Sequence, residues 1–179
     1  ILYTKPHKKE LSMSDKLQKL LSEKDRKMNA EELAFLAASF RETMFSTLHA
    51  RGTGHWGGSS SAAELVTALY FNRLNIKTDN PNWEDRDRFI LSKGHAAIAY
   101  APVLCDKGFN DVEMLKSFNL SGSKMGMHLD SNKVVGVDAS TGSLGHGPSI
   151  AAGTALAARL MGKDFLTYVV TGDGELGEG

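Results

Sequence analysis

The chain has 179 residues, of which 41% are hydrophobic and 23% are charged, and its 21 basic residues balance its 21 acidic residues. This length suits one globular domain with its own core, and the absence of net charge disfavours nucleic acid or an anionic membrane as a partner. A single cysteine, Cys105, cannot form an intramolecular disulfide, so a reducing compartment such as the cytoplasm is predicted.

Residues 1–28 are predicted to form a basic N-terminal extension that ends in a short helix. Met13 would make a natural start, and after the N-cap candidate Ser14 leucines recur at helical spacing, at Leu17, Leu20 and Leu21. Residues 29–179 are predicted to form one functional domain. This domain is expected to be incomplete and to continue past its last residue, because an α/β fold normally follows a strand with a helix.

A long amphipathic helix is predicted between Asn29 and Gly52. Asn29 and Glu32 have the spacing of a capping box, and Gly52 is a typical residue for a helix end. The apolar residues of this segment recur on one helical face, at Leu33, Leu36, Phe40, Met44 and Leu48.

The middle of the chain combines Gly-rich turns with helical and strand patterns. The stretch GTGHWGGSSS predicts a turn, and a helix is predicted to open at Ser61 and Glu64. The segment 88–91 is short and β-prone, and it runs through the turn Ser-Lys-Gly-His into an Ala-rich helix that stops at Gly108. These elements predict a strand, a tight turn and a helix in succession.

A second strand is predicted near the end of the chain. Asn110 opens a further short helix, and an irregular loop then leads to a small-residue helix over 149–161 and an apolar strand over 166–170. The alternation of strands and helices predicts an α/β fold with a parallel sheet and helices on both faces.

The sequence VVTGDGELGEG is the strongest candidate for a ligand site. In a parallel α/β sheet, ligands bind beyond the carboxyl ends of the strands, and here an apolar strand delivers Asp173 to that edge. The flanking glycines let backbone amides approach a diphosphate, and a carboxylate oxygen suits Mg²⁺. A plain Asp-Gly turn is the alternative interpretation of the same residues.

Two further features could contribute to such a site. The Gly-rich loop 140–147 runs into a helix whose first amides could bind an anion or a ring amide, although by itself the loop is better explained as a packing turn. His55, His95 and His128 each lie in a loop at an element boundary, where an imidazole could bind a phosphate or transfer protons. Taken singly, each of these histidines fits a surface or capping role better than a functional one. His49, on the long helix, is interpreted as structural.

Together these segments resemble one family, the transketolases. The series GTGHWGG, DRDRFILSKGHAAIAY, the His128 loop, STGSLGHG and GDGELGEG occurs in transketolase order, from about residue 30 to the end. The sequences of these motifs are most similar to those of split transketolases, in which the cofactor-binding and pyrimidine-binding halves are separate chains. The resemblance implies a thiamine-diphosphate-binding domain over 29–179, truncated on its C-terminal side.

The resemblance also implies roles for individual residues. His95 and Gly174 would contact the diphosphate of thiamine diphosphate, and Asp173 would bind Mg²⁺. His55 and His128 would be the catalytic histidines that hydrogen-bond the donor ketose. The backbone segment that meets the aminopyrimidine would be formed by Gly142, Ser143 and Leu144, and Glu178 would lie at the subunit interface.

The implied activity is the transfer of a two-carbon ketol unit between sugar phosphates, as in the pentose phosphate pathway. A C-terminal transketolase subunit is the expected partner, because the glutamate that activates the aminopyrimidine belongs to the other half of these enzymes. The halves would assemble as a homodimer of halves or a heterotetramer. Two alternatives remain open: another thiamine-diphosphate transferase such as 1-deoxyxylulose-5-phosphate synthase, and a non-catalytic partner-binding scaffold.

Overall fold

The computed structural model describes residues 11–178, so the first part of the predicted basic extension, residues 1–10, lies outside the described residues. The helices are α1 (Met13–Ser22), α2 (Ala30–Arg51), α3 (Trp56–Ser60), α4 (Ala63–Ala68), α5 (Ala97–Lys107) and α6 (His146–Leu160), and the strands are β1 (Arg88–Leu91) and β2 (Thr167–Val170). A π-helical turn, Leu69–Arg73, continues α4, and 3₁₀ turns span Gly94–Ala96, Val112–Ser117 and Gly174–Gly177. No helix within 11–178 is both long and apolar enough to cross a membrane.

The long helix α2 begins and ends as its sequence predicts. The amide of Glu32 donates to Asn29 Oδ1 at 3.0 Å and the amide of Asn29 donates to Glu32 Oε2 at 2.9 Å, which completes the capping box. Gly52 closes the helix in the left-handed region, at φ 67°. The buried residues lie on the predicted apolar face and are Leu36, Ala37, Phe40, Met44 and Leu48.

Several of the predicted helix starts were wrong by a few residues; α6, for example, begins at His146 rather than at residue 149. The cap of α1 is Ser12, whose hydroxyl accepts from the Asp15 amide at 3.1 Å, while Ser14 lies inside the helix. The segment predicted as a Gly/Ser-rich turn contains the short helix α3, and the next helix begins at Ala63 rather than at Ser61. The Ser61 amide donates to the Gly57 carbonyl, which extends the helical turn through this position.

The sheet of the described residues consists of β1 and β2, which pair in parallel with Arg88 opposite Thr167 and Leu91 opposite Val170. Phe89 and Leu91 belong to the main core, which also contains side chains from α2, α4 and α5. Ile90 is buried on the opposite face, since successive strand residues point to opposite sides of a sheet. Helix α6 contacts both strands, so the prediction of a parallel α/β sheet with helices on both faces is confirmed.

Candidate functional site

The two strands end at the same edge of the sheet, because they run parallel. From β1 the chain continues into Ser92 and then to His95, and from β2 it continues through Gly172 to Asp173. The two segments predicted to bind a diphosphate and its metal ion are therefore brought together. Asp173 is exposed at this edge, as the strand pattern predicted.

The Gly-rich loop 140–147 packs directly on this edge. The Thr141 hydroxyl donates to the Leu91 carbonyl at 2.5 Å, where β1 ends. A Cβ atom built on Gly94 would lie 2.4 Å from the Thr141 carbonyl oxygen, and one on Gly147 would lie 2.1 Å from Ser92 Oγ. Glycine is thus required at both positions, because any side chain would force the loop away from the strand.

Asp138 fixes the segment that leads into this loop. One of its carboxylate oxygens accepts from the Phe89 amide of β1 at 2.7 Å, and the other accepts from the Arg86 guanidinium at 2.6 Å. The Asp138 side chain is 8% exposed, so the ion pair is shielded from water. The sequence interpretation missed this residue, because an acid in an irregular segment offers no periodic pattern.

The three boundary histidines converge on the same edge. The ring centroids of His55 and His95 are 5.0 Å apart, and a Cβ atom on Gly142 would lie 3.5 Å from His128 Cδ2. His55 and His128 are exposed, whereas His95 is half-buried. His128 therefore borders the loop predicted to meet the aminopyrimidine, and His55 lies beside His95. His49 lies on α2 and stacks on Phe45, with 6.0 Å between ring centroids.

Partial burial lowers the pKa of His95 below its ordinary value, and the nearby charges of His55, Lys93 and His128 lower it further, against an opposing effect of Glu175. A neutral imidazole is therefore favoured at pH 7, and it can donate from one nitrogen while accepting at the other. Lys93 is buried beside it and donates to the Gly58 carbonyl at 2.8 Å.

We expect an NMR titration of His95 to show a midpoint below the ordinary histidine value. Because the folded state binds this proton less readily than the unfolded state, the contribution of His95 to stability is present above the ordinary pKa and is lost as the pH falls through the folded pKa. His55→Gln should raise the His95 midpoint, whereas His49→Gln should leave it unchanged. A midpoint at or above the ordinary value would contradict the neutral imidazole.

Glu175 is the functional candidate that the sequence did not reveal. Its carboxylate is buried and accepts from the amides of Gly145 at 3.0 Å and Gly172 at 2.9 Å, and from the Ser92 hydroxyl. Burial works to raise the pKa of Glu175, but the three hydrogen bonds and the neighbouring His95 outweigh it and hold the pKa below its ordinary value. The amide of Gly145, the N-cap of α6, is thus already bound by a carboxylate of the protein.

The other two acids of this segment, Asp173 and Glu178, are exposed. Within residues 11–178 no group donates a hydrogen bond to the Asp173 carboxylate, and no cluster of three or more His, Cys, Asp or Glu side chains is arranged around a metal position. A Cβ atom on Gly174 would meet nothing within 4 Å. One free carboxylate beside open backbone fits Mg²⁺ that takes its other ligands from phosphate and water. Glu178 is exposed, and its Cβ would lie 2.7 Å from a Cβ built on Gly145.

The structure is an α/β fold in which Gly-rich loops and three histidines meet at the carboxyl edge of a parallel sheet. The family described as "Transketolase, thiamine diphosphate binding domain" matches residues 35–179. The chain belongs to this family.

Individual relatives and solved structures agree with this assignment. The chain is 40% identical over 148 residues to the 6-deoxy-6-sulfo-D-fructose transketolase subunit SqwG of Clostridium sp. (strain MSTE9), covering 83% of this chain and 54% of that protein. It is 38% identical over 152 residues to an apulose-4-phosphate transketolase subunit of Phocaeicola vulgatus, covering 85% and 54%. The crystal structure of transketolase from Campylobacter jejuni superposes with a TM-score of 0.78 at 31% identity, covering 85% of this chain and 25% of that one. The chain thus spans about half the length of these curated relatives.

Proposed function

We propose that this chain is the cofactor-binding half of a transketolase, which transfers a two-carbon ketol unit from a ketose phosphate to an aldose phosphate. The observation that carries this proposal is the convergence of the GDG turn, the loop 140–147 and three imidazoles at one sheet edge. The names of both curated relatives favour ketol transfer over the deoxyxylulose-phosphate alternative.

We assign thiamine diphosphate and Mg²⁺ to the sheet edge. Asp173 would bind the metal ion, and the open backbone at Gly174 together with His95 would contact the diphosphate. The exposed backbone of Gly142, Ser143 and Leu144 would meet the aminopyrimidine. When bound, the cofactor supplies the stabilised carbanion that the transfer requires, while the protein orients the substrate and moves protons.

His55 and His128 are the proposed catalytic residues. Both imidazoles are exposed at the sheet edge, where a sugar phosphate could reach them. In this position they would donate hydrogen bonds to the C1 hydroxyl and the carbonyl oxygen of the donor ketose and hold protons at those oxygens. His128 borders Gly142, so it would lie beside the reactive end of the cofactor.

A second subunit completes the proposed enzyme. Glu175 is engaged by three donors, so we assign activation of the aminopyrimidine to a glutamate of a C-terminal transketolase subunit, and the exposed Glu178 to the interface between subunits. The names of both curated relatives contain the word subunit, which supports such a partner. We propose a homodimer of halves or a heterotetramer that acts in the cytoplasm on sugars of the pentose phosphate type, with residues 29–179 as its cofactor domain.

Calorimetry tests this proposal. Thiamine diphosphate is titrated in the presence of Mg²⁺ into this chain and into a longer version that continues to the length of the relatives and is mixed with its partner. We expect the longer, partnered protein to bind the cofactor and to transfer a ketol unit between sugar phosphates. An absence of binding by both proteins would instead support a non-catalytic scaffold.

A further inference from the structure

We propose that Glu175 is the positioning residue of the cofactor site. Its buried carboxylate sets the spacing between loop 140–147 and the end of β2, and thereby keeps the segments that receive the cofactor in register. The inference rests on the proposed function, since it concerns the same site, but it assigns Glu175 no contact with cofactor or substrate.

The three hydrogen-bond donors to Glu175 lie next to the three segments assigned to the cofactor. Oε1 accepts from the Gly145 amide, and Gly145 directly follows the backbone assigned to the aminopyrimidine. Oε2 accepts from the Gly172 amide, and Gly172 directly precedes Asp173. The Ser92 hydroxyl also donates to Oε1, at the end of β1 and three residues before the histidine assigned to the diphosphate. One side chain thus connects all three segments.

These three hydrogen bonds require a carboxylate at position 175. Its partners are two backbone N–H groups and a hydroxyl, which all donate, and an ionised carboxylate presents only acceptors. A glutamine has nearly the same shape but places an NH₂ group at one of the two oxygen positions. In either orientation this NH₂ group would face a backbone N–H, of Gly145 or of Gly172, that cannot accept. Glu175→Gln therefore breaks one of the two hydrogen bonds from backbone amides without opening a cavity.

The surrounding contacts leave the loop no compensating movement towards the strand. Gly147 lies so close to Ser92 that a Cβ atom would be 2.1 Å from its hydroxyl oxygen, and a Cβ atom on Gly94 would be 2.4 Å from the Thr141 carbonyl oxygen. The loop can therefore move only away from the strand when its hydrogen bonds to Glu175 are weakened. Such a movement would separate Leu144 from Asp173, which lie on two of the segments assigned to the cofactor.

The test uses Glu175→Gln in the longer version of the protein, mixed with its partner subunit. We expect the dissociation constant for thiamine diphosphate at saturating Mg²⁺ to rise by roughly tenfold or more, as for other losses of a hydrogen bond to a charged group. In the cofactor-free protein, amide hydrogen exchange should accelerate in peptides that cover 140–147 and 171–177. Ser92→Ala, which removes one donor and leaves both amides bound, should show the same pattern with a smaller amplitude.

Two controls separate positioning from a general loss of stability. Asn29→Ala removes the N-cap of α2, at the end of this helix that is opposite to His55. It should lower the melting temperature and leave cofactor affinity and the exchange of these two peptides unchanged. Glu113→Gln makes the same chemical change at an exposed site and should alter neither cofactor affinity nor the exchange of these two peptides. Wild-type affinity and exchange in Glu175→Gln would overturn the inference and leave the proposed function standing. A wild-type assembly that fails to bind the cofactor would overturn both.

Discussion

Replacing Asp173 with alanine is expected to abolish Mg²⁺-dependent binding of thiamine diphosphate in the longer, partnered protein, with a loss of affinity of at least roughly a hundredfold. Strand β2 delivers this carboxylate to the carboxyl edge of the sheet, where it is exposed. Mg²⁺ is usually bound by one or two protein carboxylates, so the loss of one removes most of the protein's affinity for the ion. Calorimetry with and without Mg²⁺ measures the effect directly.

Two further variants make this result specific. Asp164→Ala removes an exposed acid that precedes the same strand, at the opposite edge of the sheet, and should leave cofactor affinity unchanged. His128→Ala should retain cofactor binding and mainly lower turnover, because this imidazole is assigned to the substrate. Normal cofactor affinity in Asp173→Ala would refute the assignment of the metal ligand.

Gly94→Ala should destabilise the protein by about 2 kcal/mol or more, a large effect for the addition of one methyl group. The added Cβ atom would lie 2.4 Å from the Thr141 carbonyl oxygen and 2.7 Å from the carbonyl carbon. Because these are backbone atoms, relief requires loop 140–147 to move away from β1. Denaturant unfolding should show the lost stability, and calorimetry should show weaker cofactor binding.

Gly153→Ala is the matched control for this substitution. Gly153 lies inside α6, and a Cβ atom there meets nothing within 4 Å. Alanine is favoured over glycine in a helix interior, so this variant should be slightly more stable than the wild type. Equal stability of Gly94→Ala and Gly153→Ala would contradict the close packing of the loop on the strand.

The elements that the sequence predicted best are those with a local physical cause. The capping box of α2, the glycine that ends it and its apolar face all lie within one segment, and each was confirmed. Helix α3 was missed because its sequence WGGSS has low helix propensity, and its neighbours stabilise it instead. The buried Lys93, for example, donates to the carbonyl of Gly58 within this helix.

The residues of the candidate site were likewise predicted only in part. Asp173 and the histidines could be placed at the sheet edge from the sequence, because each follows or borders a recognisable element. Their assigned roles remain predictions. Glu175 and Asp138 could not be found in this way, because their partners lie 30 to 83 and 49 to 52 positions away, apart from the nearby Gly172 amide. Only the folded chain shows that these two acids bind the loops of the candidate site to the strands.

The most direct test of the proposed cofactor site is a crystal structure of the longer, partnered protein with thiamine diphosphate and Mn²⁺ in place of Mg²⁺. We predict an anomalous Mn²⁺ peak within coordination distance of the Asp173 carboxylate, with His95 beside the diphosphate. A cofactor bound with its metal ion away from this carboxylate, or on another side of the sheet, would contradict the proposed site.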